Sequence, residues 1–185
     1  MGTPWPADDA RPLVLISFST APQGQAGALQ HTLTALSTLP VRGLVTLGPA
    51  LDPAQFQAPA NVVLESFVPH ALVLPQVAVM VSQCGHGTVM QALAHGVPLV
   101  CLPLRGDQPD IAARVVYAGA GVRLSQDATP AQIRAALQRV LADPSYHDGA
   151  RRIARAMTME DGTRTAVEEI ESLIAPMGSQ APPAC

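Results

Sequence analysis

The chain has 185 residues, 48% of them hydrophobic and 14% charged, with a formal net charge of -3. That length suits one domain with a sizeable core, and the mild acidity offers no basic footprint for nucleic acid. No lysine occurs among the 11 basic residues, which removes a Walker-type phosphate loop and any Schiff-base mechanism.

Residues 1–12, "MGTPWPADDARP", read as a linker-like segment with prolines, adjacent acids and no periodicity. "LVLIS" (Leu13–Ser17) is a buried strand candidate. "GALQHTLTALSTL" over residues 27–39 places Leu29, Leu33, Leu36 and Leu39 at helical spacing. "GLVTL" (43–47) and "NVVLE" (61–65) are further strands. "VAVMV" (77–81) and "PLVCL" (98–102) are near-continuous apolar runs, as expected of central parallel strands covered on both faces. A helix over residues 88–95 lies between them. Toward the C-terminus, "TPAQIRAALQRVLAD" carries its own start signal. Thr129 is the N-cap, Pro130 follows at N1, and Gln132 completes a capping box, with Ile133, Leu137, Val140 and Leu141 as the buried stripe. "GTRTAVEEIESLI" repeats the pattern with Val167, Ile170, Leu173 and Ile174, and residues 175–185 form a flexible tail. Strands alternating with helices predict a doubly wound, Rossmann-like α/β parallel sheet with helices on both faces over residues 13–174. Ligands of such sheets sit at the carboxyl ends of the strands. The informative loops are therefore those after Ser17, Glu65, Val81 and Leu102.

No apolar run approaches the ~20 residues of a membrane span, so no transmembrane segment is expected. No signal peptide is visible either. Cys84, Cys101 and Cys185 are an odd set at irregular spacing, which fits a reducing, cytoplasmic setting better than a disulfide framework.

The loop after "VAVMV" is "SQCGHGT". Gly85 and Gly87 permit a sharp turn and close approach of a ligand. The following helix start favours an anion, to which Thr88 adds a hydroxyl. The competing readings are a ligand-free strand-to-helix turn, a nucleophile elbow on Cys84, and a metal site from Cys84, His86 and His95, which lacks the usual ligand spacing. A dinucleotide fingerprint fits poorly, because Met90 stands where the third glycine belongs. After "PLVCL", Asp107 and Gln108 offer acceptors and an amide suited to paired sugar hydroxyls. Asp107 also reads as an ordinary helix N-cap, with Asp110 at N3. After "NVVLE", Phe67 suits stacking on a flat base, with backbone contacts at Val68, or it is a core phenylalanine. His70 alone reads as a hydrogen-bonded loop residue.

Taken together, F-V-P-H, G-H-G-T, A-H-G-V-P and G-D-Q across residues 67–124 closely resemble the donor-binding signature of family 1 (UDP-glycosyltransferase-like) glycosyltransferases. The resemblance implies the C-terminal half of a GT-B fold. It also implies binding of a UDP- or TDP-linked sugar as substrate, inversion at the anomeric centre, and transfer of a hexose to a small-molecule hydroxyl, with no metal or other cofactor. It places Phe67 and Val68 on the base, with His70 in the same donor-binding set. Ser19, Thr20, Gly85, His86, Gly87 and Thr88 fall at the diphosphate, and Asp107 and Gln108 at the transferred sugar. Gln83 and Gln91 stand where relatives usually place a phosphate-contacting histidine and a ribose-holding glutamate, and Cys84 replaces a glycine. The acceptor pocket and the catalytic base are expected in a missing N-terminal domain, so no catalytic residue is assigned to this chain and alone it is expected to be inactive. The two glutamines leave a second expectation, a non-catalytic interaction or regulatory domain with a decayed donor site.

Overall fold

The computed structural model describes Trp5 and residues 8–18, 21–160 and 162–174. Six parallel strands form one sheet in the order β3-β2-β1-β4-β5-β6. They are β1 (Leu13–Ser17), β2 (Arg42–Thr46), β3 (Val62–Glu65), β4 (Val77–Ser82), β5 (Leu99–Cys101) and β6 (Gly121–Arg123). The helices are α1 (Ala26–Leu36), α2 (His70–Val73), α3 (His86–Ala94), α4 (Gln108–Tyr117), α5 (Pro130–Ala142), α6 (Ser145–Met159) and α7 (Gly162–Ile174). The predicted doubly wound α/β sheet is present.

Alternation along the central strands explains the two layers. In β1, Val14 and Ile16 turn to one face, where they meet Leu29, Leu33 and Leu36 of α1 and Ile133, Leu137 and Val140 of α5. Leu13 and Leu15 turn to the other, against Val89 and Leu93 of α3, Val115 of α4 and Ala150 of α6. Successive side chains of a strand point oppositely, so a strand covered on both sides must be apolar throughout. Each fully buried Leu or Ile contributes roughly 1.5–3 kcal/mol relative to exposure.

Most predicted elements are present with shifted ends. Helix α1 stops at Leu36, and Leu39 is buried beyond it. The helix predicted over 88–95 starts two residues earlier, at His86, because Gly85 takes the extended N-cap conformation (φ -60°, ψ 137°). The capping box of α5 forms: Thr129 Oγ1 accepts from Gln132 N at 3.3 Å, and Gln132 Oε1 accepts from Thr129 N at 2.9 Å.

Three elements had no sequence prediction, among them α2, whose first residue, His70, was expected in a loop. Strand β6 is three residues long, too short for a period. Helix α6 buries only Tyr146, Gly149 and Ala150. Ile153 and Met157, half-buried, continue the same face against the core, and a Cβ on Gly149 would collide with Gly119 O, so the helix packs through an apolar stripe and a small residue together. The stripe on α7 is helical as predicted, but Val167, Ile170, Leu173 and Ile174 are 48–83% exposed and pack into neither core cluster. Of the linker-like segment, Trp5 lies 5.7 Å from the Arg42 guanidinium, and Arg42 Nε donates to Arg11 O at 2.9 Å. The tail, 175–185, lies outside the described residues.

Candidate functional site

In this strand order the connections from β1 and β4 leave in opposite directions, opening a crevice at their carboxyl ends. A cleft of about 600 Å³ occupies it. Ser17 and Phe18 enter from β1, and Thr46 and Gly48 from β2. The loop after β3 contributes residues 66–71, and β4 with α3 contributes Gln83, Thr88 and Gln91.

At one end, Phe67 is 73% exposed while lining the cleft, so its ring face is open to a flat partner rather than used in a core. Beside it, His70 Nε2 lies 3.0 Å from Thr46 Oγ1. Burial pushes the His70 pKa below its ordinary value, so near neutral pH the ring is an uncharged hydrogen-bonding group.

At the other end, the turn from β4 into α3 is built from short-range bonds. Ser82 Oγ accepts from Cys84 N at 3.1 Å and donates to Gln83 Oε1 at 3.2 Å. Gln83 is buried, with Nε2 3.3 Å from where a Gly85 Cβ would sit. No side chain caps α3, a nine-residue helix, at its N-terminus, leaving its first-turn N–H groups and dipole available to an anion. His86 and Gly87 are exposed on that turn, and Thr88 and Gln91, three residues apart, share the helix face that borders the cleft.

Cys84 has φ +69° and is fully buried. The thiol is closed to a substrate, which removes the elbow reading. A hydrogen bond with Cys84, and after it burial, push the Cys101 thiol well up. Among the described residues, no three of His, Cys, Asp and Glu come together as a metal site would require.

Asp107 and Gln108 lie outside the lining of this cleft. Asp107 occupies the N-cap position of α4 but is in the helical region (φ -80°, ψ -9°), and its exposed carboxylate makes no capping bond. The expected carboxylate cap is therefore not formed. Gln108 is 5% exposed, and its Oε1 accepts from Leu104 N at 2.8 Å and Arg105 N at 3.1 Å. Its Nε2 donates to Gln23 Oε1 at 2.8 Å.

Six of the predicted residues thus meet in one cleft: Phe67, Val68, His70, Gln83, Thr88 and Gln91. Gly85, His86 and Gly87 form the adjoining helix start. Ser19 and Thr20 lie outside the described residues. Sequence reading overlooked Thr46 and Gly48, because the loop after β2 was not among those taken as informative. The carboxyl-end rule applies to β2 as it does to its neighbours, and would have found them.

Residues 30–173 match the family described as "Erythromycin biosynthesis protein CIII-like, C-terminal domain". The chain belongs to this family. The chain is 36% identical over 168 residues to 4'-demethylrebeccamycin synthase of Lentzea aerocolonigenes, covering 90% of this chain and 39% of that protein. It is similar to the crystal structure of CalG4, the calicheamicin glycosyltransferase, at a TM-score of 0.81 and 28% identity, over 91% of this chain and 44% of that one. The glycosyltransferase VinC in complex with DTDP is similar at a TM-score of 0.68 and 26% identity, over 79% of this chain and 37% of that one. The chain therefore has the fold of the C-terminal half of a GT-B glycosyltransferase, and spans about two fifths of the length of the curated relatives it matches.

Proposed function

We propose that this domain binds a nucleoside-diphosphate sugar and serves as the donor half of an inverting glycosyltransferase. The observation that carries the reading is the cleft at the sheet's switch point, with an exposed aromatic face, Phe67, at one end and an uncapped helix N-terminus, that of α3, at the other. A flat base and a diphosphate are the two ligand parts these ends suit. The relative VinC supports the same reading, since its structure contains DTDP.

In this reading, Phe67 stacks on the base, Val68 contributes backbone contacts, and Gln91 holds the ribose. Gly85 to Thr88 take the diphosphate, with Gln83 beside them, and the hydroxyls of Ser19 and Thr20 face the same phosphates. The acceptor hydroxyl attacks the anomeric carbon from the face opposite the diphosphate. The bond to the diphosphate breaks, and the leaving group departs with the electron pair. Charge developing on it is stabilised by the dipole and N–H groups of α3 rather than by a metal ion. The acceptor's proton passes to a base on an N-terminal acceptor domain, corresponding to the length of the relatives that this chain does not span. The exposed apolar stripe of α7 is a face on which such a domain would pack. Two buried free thiols favour the cytoplasm as the setting.

Titration calorimetry with UDP and TDP tests the reading. Saturable binding of either supports it, and no heat at millimolar nucleotide overturns it. Replacing Gln83→His together with Gln91→Glu is expected to tighten binding about fivefold or more, because charge-assisted hydrogen bonds exceed neutral ones by about 1 kcal/mol. The chain alone is expected to transfer no sugar. Turnover by the purified chain would refute the assignment of the base to another domain.

A further inference from the structure

We propose that Thr46 is a positioning residue: through its bond to His70 it holds the loop that carries Phe67, and so sets the platform on which a nucleobase stacks. The inference rests on the donor-site reading above and gives Thr46 a part in it.

Phe67 is largely exposed and joins neither core cluster. A ring so placed is not located by its own packing, and its position is inherited from the loop around it. That loop is tied to β2 on both sides of Phe67. Before it, β2 and β3 stay zipped past their ends: Thr46 pairs with Glu65, Leu47 N donates to Glu65 O at 2.9 Å, and Gly48 N donates to Ser66 O at 3.0 Å. After it, His70 Nε2 is hydrogen-bonded to Thr46 Oγ1 across the cleft wall. Between the two ties, Val68 packs against the core.

The ties before Phe67 are backbone bonds, which any residue at those positions could make. The tie after it needs a hydroxyl at position 46. Thr46 is 7% exposed, and burial disfavours the charged form of His70, so the bond joins two neutral groups screened from bulk water. Helix α2, which His70 opens, is four residues long and has no side-chain cap. Without Thr46, the far side of the Phe67 loop is held by the packing of Val68 and loses its hydrogen bond to the sheet. Thr46 therefore acts on the base through Phe67, with no contact of its own required.

The test is calorimetry of the full chain with UDP and TDP, and with inorganic pyrophosphate as a probe of the phosphate end alone. Thr46→Val keeps the branched shape and removes the hydroxyl, while Thr46→Ser keeps the hydroxyl. Thr46→Val is expected to weaken the nucleotides about two- to tenfold, the scale of one neutral hydrogen bond, and to leave pyrophosphate unchanged. Thr46→Ser restores the nucleotides. In a Phe67→Ala background, Thr46→Val costs nothing further, because the platform it sets is already gone. If Thr46→Val does not fold, Thr46→Cys, a weaker donor, carries the same comparison; if pyrophosphate alone does not bind the wild type, the Phe67→Ala cycle decides. Wild-type nucleotide affinity in Thr46→Val, an equal loss of pyrophosphate, or full additivity with Phe67→Ala would each overturn the inference while leaving the donor site standing. So would a Thr46→Ser variant that recovers melting temperature but not affinity. A wild-type chain that binds neither nucleotide would overturn both.

Discussion

Thr46 Oγ1, at the end of β2, lies 3.0 Å from Nε2 of His70, the first residue of α2, joining two walls of the cleft. Burial lowers the His70 pKa from the ordinary 6.5, so the folded chain holds a neutral imidazole against the threonine hydroxyl. As pH falls through 6.5, the unfolded chain takes up this proton before the folded chain does, and stability is lost in that direction. His147 is shifted the same way, chiefly by burial. Urea midpoints at about pH 7.5 and pH 5.5 should show a smaller drop for His70→Gln than for the wild type, with the remainder due to His147. An equal drop in both would remove His70 as a contributor.

Phe67 provides a test that separates binding from stability. Its ring is largely exposed, so Phe67→Ala should leave the unfolding midpoint within about 0.5 kcal/mol of wild type. Nucleotide affinity should fall about fivefold or more, since stacking on a base is worth roughly 1–3 kcal/mol. A large loss of stability with unchanged affinity would make Phe67 a packing residue instead.

Cys84 sits in the left-handed region at φ +69°, a conformation that costs a residue with a Cβ roughly 1–2 kcal/mol. Cys84→Gly relieves this strain while losing a buried thiol and gaining unfolded-state entropy. The sum should fall within about 1 kcal/mol of wild type. Cys84→Ala keeps the strain and loses the sulfur, and should be about 1–2 kcal/mol less stable than wild type. Denaturant midpoints in the reverse order would show that the turn is not strained.

On α7, Ile170 and Leu173 are 58% and 83% exposed. Ile170→Asp with Leu173→Asp should therefore change the stability of the domain by less than about 1 kcal/mol. A domain that melts markedly lower would show that the stripe is covered within this chain.

The sheet was legible because each central strand is a run of apolar residues with no polar break, as in "LVLIS" and "VAVMV". The N-terminus of α5 was legible because its cap residues are only three positions apart. Helix α6 was overlooked although Tyr146, Ala150, Ile153 and Met157 recur at helical spacing, because charged residues interleave with them, while its close contact of Gly149 with Gly119 O leaves no pattern of its own. The α7 stripe misled in the opposite sense: periodicity shows which residues share a face, but not what lies opposite that face.

The sequence by itself determined strands β1 to β5 and the capping box of α5, because these are set by residues within a few positions of one another; the sharp turn before α3, expected at Gly85 and Gly87, is made instead by Cys84. Only the tertiary structure decided that Thr46 reaches His70, 24 residues on, and that Gln108 reaches Gln23 across 85. Both contacts depend on the order in which the strands lie side by side. That order brings distant loops to one end of the sheet, where a buried amide must bond to whatever backbone and side chains it meets there.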